Sequence, residues 1–312
     1  MNIKNLFYAL TFSVIAFGAL SCKKDESGTP TSTSITAQVV AAANLSLLES
    51  AVVKANLATT LDGAGSFTVF APTDDAFAAS GITAATISSL TAQQLSAILL
   101  YHTLPAKIMA ADVPAGPNAK VITAGGDSVF VTKNANGVFV NGVNVTQADI
   151  TASNGVIHLI SRVLLPPTGN IVQVAQSNAN FTFLVAAVVR ASSGSTNVAQ
   201  ILSSGGPFTV FAPTNDAFIA AGFADIAAIN AADPNTLASI LTYHVVAGRV
   251  FSSDLTNGAT PTTANGGTVT IALSGTGATV KGKTNMVASN IIGTNVMARN
   301  GVIHVIDRVL LP

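Results

Sequence analysis

The chain contains most of itself twice. FTVFAPTDDAF at Phe67–Phe77 returns as FTVFAPTNDAF at Phe208–Phe218, with ten of eleven positions identical. NGVIHLISRVLLP at Asn154–Pro166 returns at Asn300–Pro312, with eleven of thirteen identical. Tyr101-His102 is echoed by Tyr243-His244, and Asn44–Ala55 by Asn180–Ala191. A period of 136 to 146 residues is far longer than a solenoid unit. The copies are therefore whole domains, each long enough to bury its own core. The joint falls at Pro166-Pro167-Thr168-Gly169, a short and proline-stiffened link that restricts how the copies turn against each other.

Both copies have the same internal grammar. Leu45, Leu48 and Val52, like Phe181, Leu184 and Val188, follow helical spacing. Phe67–Ala71 and Phe208–Ala212 read as short buried strands. Thr73 and Thr214 each cap a following helix, with Asp75 and Asp216 in its first turn, where the helix dipole favours an acid. Thr91 with Gln94 forms a capping box, and its counterpart opens on Asp233 and Pro234. The period then changes. Val129–Val131 and Val138–Val140 flank a turn centred on Asn136-Gly137, and Asn-Gly pairs punctuate the later strands. Helices first and strands second give an α+β fold on an antiparallel sheet sandwich.

Charge is scarce: 14 Lys and Arg balance 14 Asp and Glu, 9% of the 312 residues against about 25% in an ordinary soluble domain. There is no basic stripe to neutralise phosphates, so nucleic acid is excluded as a partner. One cysteine, Cys22, cannot close an intramolecular disulfide. Residues 1–21 read as a signal peptide, with Lys4 ahead of a short apolar stretch from Leu6 to Leu20. Ala19-Leu20-Ser21-Cys22 resembles a bacterial lipoprotein cleavage site, with Cys22 the lipidated residue, although the usual leucine three places before the cysteine is Ala19. Lys23-Lys24-Asp25-Glu26 resembles the export tag of surface-displayed Bacteroidetes lipoproteins. Residues 22–35 then form a flexible tether, 36–166 the first domain and 170–312 the second.

The TVFAPTDDAF segment, the Tyr-His pair and the terminal NGVIHLISRVLLP segment, in order and in both copies, resemble the fasciclin-type domain across roughly residues 36–312. The resemblance implies two tandem wedge-shaped antiparallel β-sandwiches with helical flanks, acting as extracellular adhesion or interaction modules without catalysis. It also implies candidate contacts at Tyr101-His102 and Tyr243-His244. Asp149-Ile150 resembles the Asp-Ile that some animal fasciclin domains use in integrin adhesion, and the second copy has Asn295-Val296 there.

Rival chemistry fares poorly. Gly277–Thr284 satisfies the P-loop string, yet its first-copy equivalent Gly137–Gly142 reads as a strand between turns, where a P-loop needs a helix to follow. The four histidines occupy repeat-equivalent places, too far apart in sequence for a metal motif, and read as buried imidazoles satisfying backbone groups. Asp74-Asp75 is explained by capping. No catalytic, cofactor or metal residues are expected. The leading expectation is a lipid-anchored, surface-exposed outer-membrane protein that binds a cell-surface or matrix protein or glycan. The alternatives are a periplasm-facing anchor and a glycan- or small-ligand-capturing accessory of nutrient uptake. Absent Trp and only three Tyr disfavour sugar stacking.

Overall fold

The computed structural model describes residues 33–312. The signal segment 1–21, Cys22 and all but the end of the tether lie outside the described residues. The first copy runs through α1 (Ile35–Ala41), α2 (Ser46–Lys54), α3 (Ala58–Asp62), β1 (Phe67–Pro72), α4 (Asp74–Ala79), α5 (Ala84–Ser89), α6 (Ala92–Tyr101) and β2 (Thr103–Leu104). Strands β3 (Gly116–Ile122), β4 (Ser128–Asn134), β5 (Gly137–Val140), β6 (Val143–Ala152) and β7 (Gly155–Ile160) complete it. The second repeats the order as α7 (Ile171–Gln176), α8 (Thr182–Ala191), α9 (Val198–Ser204), β8 (Phe208–Pro213), α10 (Asn215–Ala220), α11 (Ile226–Ala231) and α12 (Pro234–Tyr243). It closes with β9 (Val245–Ala247), β10 (Thr270–Ser274), β11 (Gly277–Lys281), β12 (Ser289–Ala298) and β13 (Gly301–Ile306).

The caps form as the sequence dictates. Thr91 Oγ1 accepts the Gln94 N–H at 3.2 Å while Gln94 Oε1 accepts the Thr91 N–H at 2.9 Å. Asp233 takes the Thr236 N–H at 2.8 Å, with Pro234 in the first helical position. Asp74 caps a helix other than its own. Its carboxylate accepts the Leu47 N–H at 2.9 Å at the start of α2, and Asn215 does the same for Phe183 at 3.0 Å. That long-range duty accounts for the tempting acid pair.

The first sheet runs β2-β1-β7-β6-β5-β4-β3, and the second runs β9-β8-β13-β12-β11-β10, the same order without a counterpart of β3. All neighbours are antiparallel except one pair per copy: β1 with β7, and β8 with β13. These two strands are buried along nearly their whole length, as befits strands covered on both faces. On one face Val69, Ala71, Ile157 and Leu159 meet Leu48, Val52, Leu95 and Leu99 of the helices. On the other, Phe70 and Ile160 pack against Val129, Val131 and Val140. Because β4 and β5 lie several strands away from β1 in the sheet yet share its core, the sheet curls over on itself. Register shifts along β6, at whose bulge Asp149 takes φ +63°, supply the bend.

One local reading shifts and another holds. The hairpin loop is Ala135-Asn136, one residue before the expected centre, with Gly137 (φ +125°) opening β5 opposite Asn134. The P-loop string lies in β11 and the segment after it, with no helix following. Val140 pairs with Val143 while Val280 pairs with Ser289, so residues 283–288 are an insertion absent from the first copy.

Candidate functional site

The Tyr-His pair ends the helix that hands the chain to β2 or β9. His102 Nε2 accepts the Leu164 N–H at 2.9 Å, which leaves Nδ1–H to donate to the Ile98 carbonyl at 2.8 Å. His244 repeats this with Leu310 and Ile240, both at 2.8 Å. Burial pushes both imidazoles down to about 4. Tyr101 donates to the Ser128 carbonyl at 3.1 Å and accepts from Asn141 Nδ2 at 2.9 Å, and burial raises its hydroxyl to about 12. Tyr243 donates to the Thr268 carbonyl and accepts the Lys283 N–H at 2.8 Å. Each pair therefore rivets α6 or α12 to a hairpin and to the terminal segment. All four side chains are interior. This corrects the expectation that Tyr101, His102, Tyr243 and His244 present a contact surface: as folded they have none to offer.

Asp149 and Ile150 are placed differently. The positive-φ bulge turns the Asp149 carboxylate onto the loop after β2, where it accepts the Ala110 N–H at 2.9 Å. Its own N–H donates to His158 Nδ1 at 3.1 Å, and the side chain stays 36% exposed. Ile150 is half-buried against the helical core. Asn295, at φ +62°, takes the Ser252 N–H at 2.8 Å in the second copy. Ala110 thus corresponds to Ser252, and the loop Lys107–Asp112 to Arg249–Asp254.

That correspondence exposes a difference in use. Arg249–Asp254 is covered by the first copy. Phe251 is fully buried, with its ring 6.1 Å from that of Phe130 on β4. The Arg249 guanidinium lies 4.3 Å over the Phe130 ring and donates to the carbonyls of Ala298 and Arg299, both at 3.1 Å, and of Gly301. Asn118 Nδ2 donates to the Arg249 carbonyl at 2.6 Å, Asn134 Nδ2 to Ser253 at 3.1 Å and Asn295 Nδ2 to Gly142 at 3.3 Å. Thr132 Oγ1 donates to Asp254 at 3.1 Å. The first copy's own loop has Lys107, Ala111 and Asp112 exposed and Met109 half-exposed. Sequence reasoning missed Arg249, Phe130 and Phe251. The available signal was the broken repeat, since Phe251 faces Met109 and Phe130 faces Thr270 at equivalent positions.

Replacing Phe251 with Ala should release the two copies from one another at a cost of about 3 kcal/mol. Small-angle scattering should then report a broadened distribution of inter-copy distances; an unchanged profile would mean the linker alone fixes the arrangement.

Among the described residues, no three His, Cys, Asp or Glu side chains converge as metal ligands, and no helix is long and apolar enough to cross a membrane. A fasciclin domain model matches residues 43–166 and again 179–312. The chain belongs to the fasciclin domain family. It is 31% identical over 255 residues to the pig (Sus scrofa) transforming growth factor-beta-induced protein ig-h3, covering 81% of this chain and 35% of that protein. Human periostin is 30% identical over 257 residues, again 81% of this chain but 29% of its own length. The chain thus spans about a third of these longer relatives. Synechocystis protein sll1735 is 41% identical over 142 residues, 46% of this chain and 97% of that protein. A solved FAS1 domain pair from the insect cell adhesion molecule Fasciclin I aligns over 89% of this chain and 96% of its own, at 18% identity and TM-score 0.43.

Proposed function

We propose that this protein is a non-catalytic adhesion or interaction protein, exported and held to the outer membrane through a lipidated Cys22. Its domains would occupy about 36–166 and 170–312. It binds a cell-surface or matrix partner with the Lys107–Asp112 loop and the Asp149–Ile150 bulge of domain 1. Fasciclin domain proteins are typically cell-adhesion or interaction proteins. One observation carries the choice of face: the equivalent face of domain 2, Arg249–Asp254 with Asn295, already grips a folded protein surface, that of domain 1. The same backbone platform on domain 1 is open. Its side chains differ, with Lys107 and Met109 in place of Arg249 and Phe251, so it suits a different partner.

The test combines display and binding. Protease treatment of intact cells should release residues beyond the tether, and Cys22→Ala should abolish acyl-chain labelling. The double variant Lys107→Glu/Ala111→Arg, both at exposed positions, should lower cell aggregation or matrix binding at least tenfold with an unchanged melting temperature. Aggregation and binding that persist undiminished after gene deletion would overturn the reading.

A second reading, glycan capture, draws on a cleft of about 750 Å³ at the domain junction, bordered by Lys120, Phe130, Arg249 and Arg299. Micromolar binding on a glycan array, lost in Arg299→Glu, would favour it.

A further inference from the structure

Domain 1 contains an apolar pocket. About 190 Å³ lies between the loop after β2 and the inner face of the curled sheet, walled chiefly by Phe70, Leu104, Ile108, Val113, Val131 and Val145. Three polar side chains reach its lining, and each is already engaged. Thr68 Oγ1 donates to the Ala106 carbonyl at 2.7 Å and accepts the Ile108 N–H at 2.8 Å. His158 accepts the Asp149 N–H on Nδ1, so its Nε2–H donates to the Ile108 carbonyl at 2.9 Å. Asp112 accepts the Met109 N–H at 3.1 Å. A buried water needs two to four polar partners; Thr68 and His158 are engaged with backbone groups, and only the exposed carboxylate of Asp112 keeps an oxygen free. A dry apolar cavity of about 150 Å³ in another protein takes up benzene or xenon.

We propose that domain 1 binds a small, uncharged, apolar molecule in this cavity, of about the size of a substituted benzene ring. The roof explains why domain 1 is the receptive copy. Its loop is held by side-chain bonds, from Lys133 Nζ to the Ala110 carbonyl at 2.9 Å and from the Ala110 N–H to Asp149, and its outer side faces solvent. This roof can give way without disturbing the other domain. The corresponding roof of domain 2 is clamped beneath domain 1 by Arg249 and the buried Phe251. The inference does not require the adhesion reading, although its roof is the Lys107–Asp112 loop to which that reading assigns a partner: the ligand enters beneath the loop and the partner docks on its outer side.

Methyl chemical shifts of the intact two-domain protein, titrated separately with benzene, toluene and benzoate, test it. Benzene and toluene should move the Ile108, Val131 and Val145 methyls saturably, with one molecule bound per chain. Benzoate should not, and the Ile271 and Ile291 methyls of domain 2 should stay still. Val145→Phe should abolish the response. Should that variant misfold, Val131→Ile/Val145→Ile, which installs the residues found at the equivalent places of domain 2, should weaken binding about tenfold. Absence of saturable shifts up to the solubility of benzene, equal affinity for benzoate, or unaltered binding in the filled variants would each overturn the proposal.

Discussion

Lowering the pH from 7 to 4 should remove about 3 kcal/mol of stability from each domain through one histidine apiece. His102 and His244 have an ordinary value of 6.5 and are held down to about 4 by burial. Below about 6.5 the unfolded chain takes up a proton at each site and the folded chain does not, so acid favours unfolding. The stabilising contribution is whole above 6.5, falls as the pH drops toward 4, and levels off once the folded form also protonates. At about 1.4 kcal/mol per unit, the interval of shift gives the stated figure. Burial also lowers His304, which adds to the loss in domain 2. Asp307, lowered by its bonds from Asn290 and Ser289, acts only as the pH falls through the carboxylate range. Urea unfolding at closely spaced pH values measures the slope. His102→Gln should flatten it for domain 1 and leave that of domain 2 intact. Stability that stays level between pH 6.5 and 5 would rule out neutral, buried imidazoles.

Gly155→Ala and Gly301→Ala should be among the most damaging single substitutions, each costing about 3–5 kcal/mol. A Cβ on Gly155 would stand 2.1 Å from the Phe67 carbonyl oxygen and 2.9 Å from Ile35 Cδ1. On Gly301 it would stand 2.3 Å from the Phe208 carbonyl oxygen. Those oxygens belong to the parallel strand, which cannot retreat without opening the β1–β7 or β8–β13 ladder. The preceding asparagine adds to the constraint. Asn154 accepts the Ile35 N–H at 3.0 Å and donates to the Leu61 carbonyl at 2.7 Å, and Asn300 makes the same clasp to Ile171 and Leu202. Gly275→Ala is the control, since nothing lies within 4 Å of its Cβ position, and it should change stability by less than about 0.5 kcal/mol. Denaturant midpoints that coincide for Gly155→Ala and Gly275→Ala would refute the close-approach argument.

Signals that act within a few residues were legible in the sequence. Thr91 with Gln94 and Asp233 with Pro234 begin helices because their partners lie three residues away or in the next peptide unit. The tandem fold was legible for a different reason, because two copies of one pattern constrain each other. What escaped were jobs done across the chain. Asn154-Gly155 reads locally as a turn, yet it holds the start of α1 and the end of α3 together. The parallel pairing of β1 with β7 joins segments 88 positions apart, for which neither has a local marker. Repetition also misled at the candidate site. Tyr101-His102 recurs because both domains need the same internal rivet, whereas Arg249, Phe130 and Phe251, which make the junction, stand out only where the copies disagree.

The parallel pairing bears on how such a module carries tension. In each domain the strand nearer the amino-terminal end runs alongside the last strand, matched at six successive positions from Phe67 with Gly155 to Pro72 with Ile160. Stretching the chain from its two ends drags these neighbours past each other along their length. Their backbone bonds then resist together instead of parting one by one, and rupture is governed by a rate under load. A domain pulled at its two ends would hold longest along this seam.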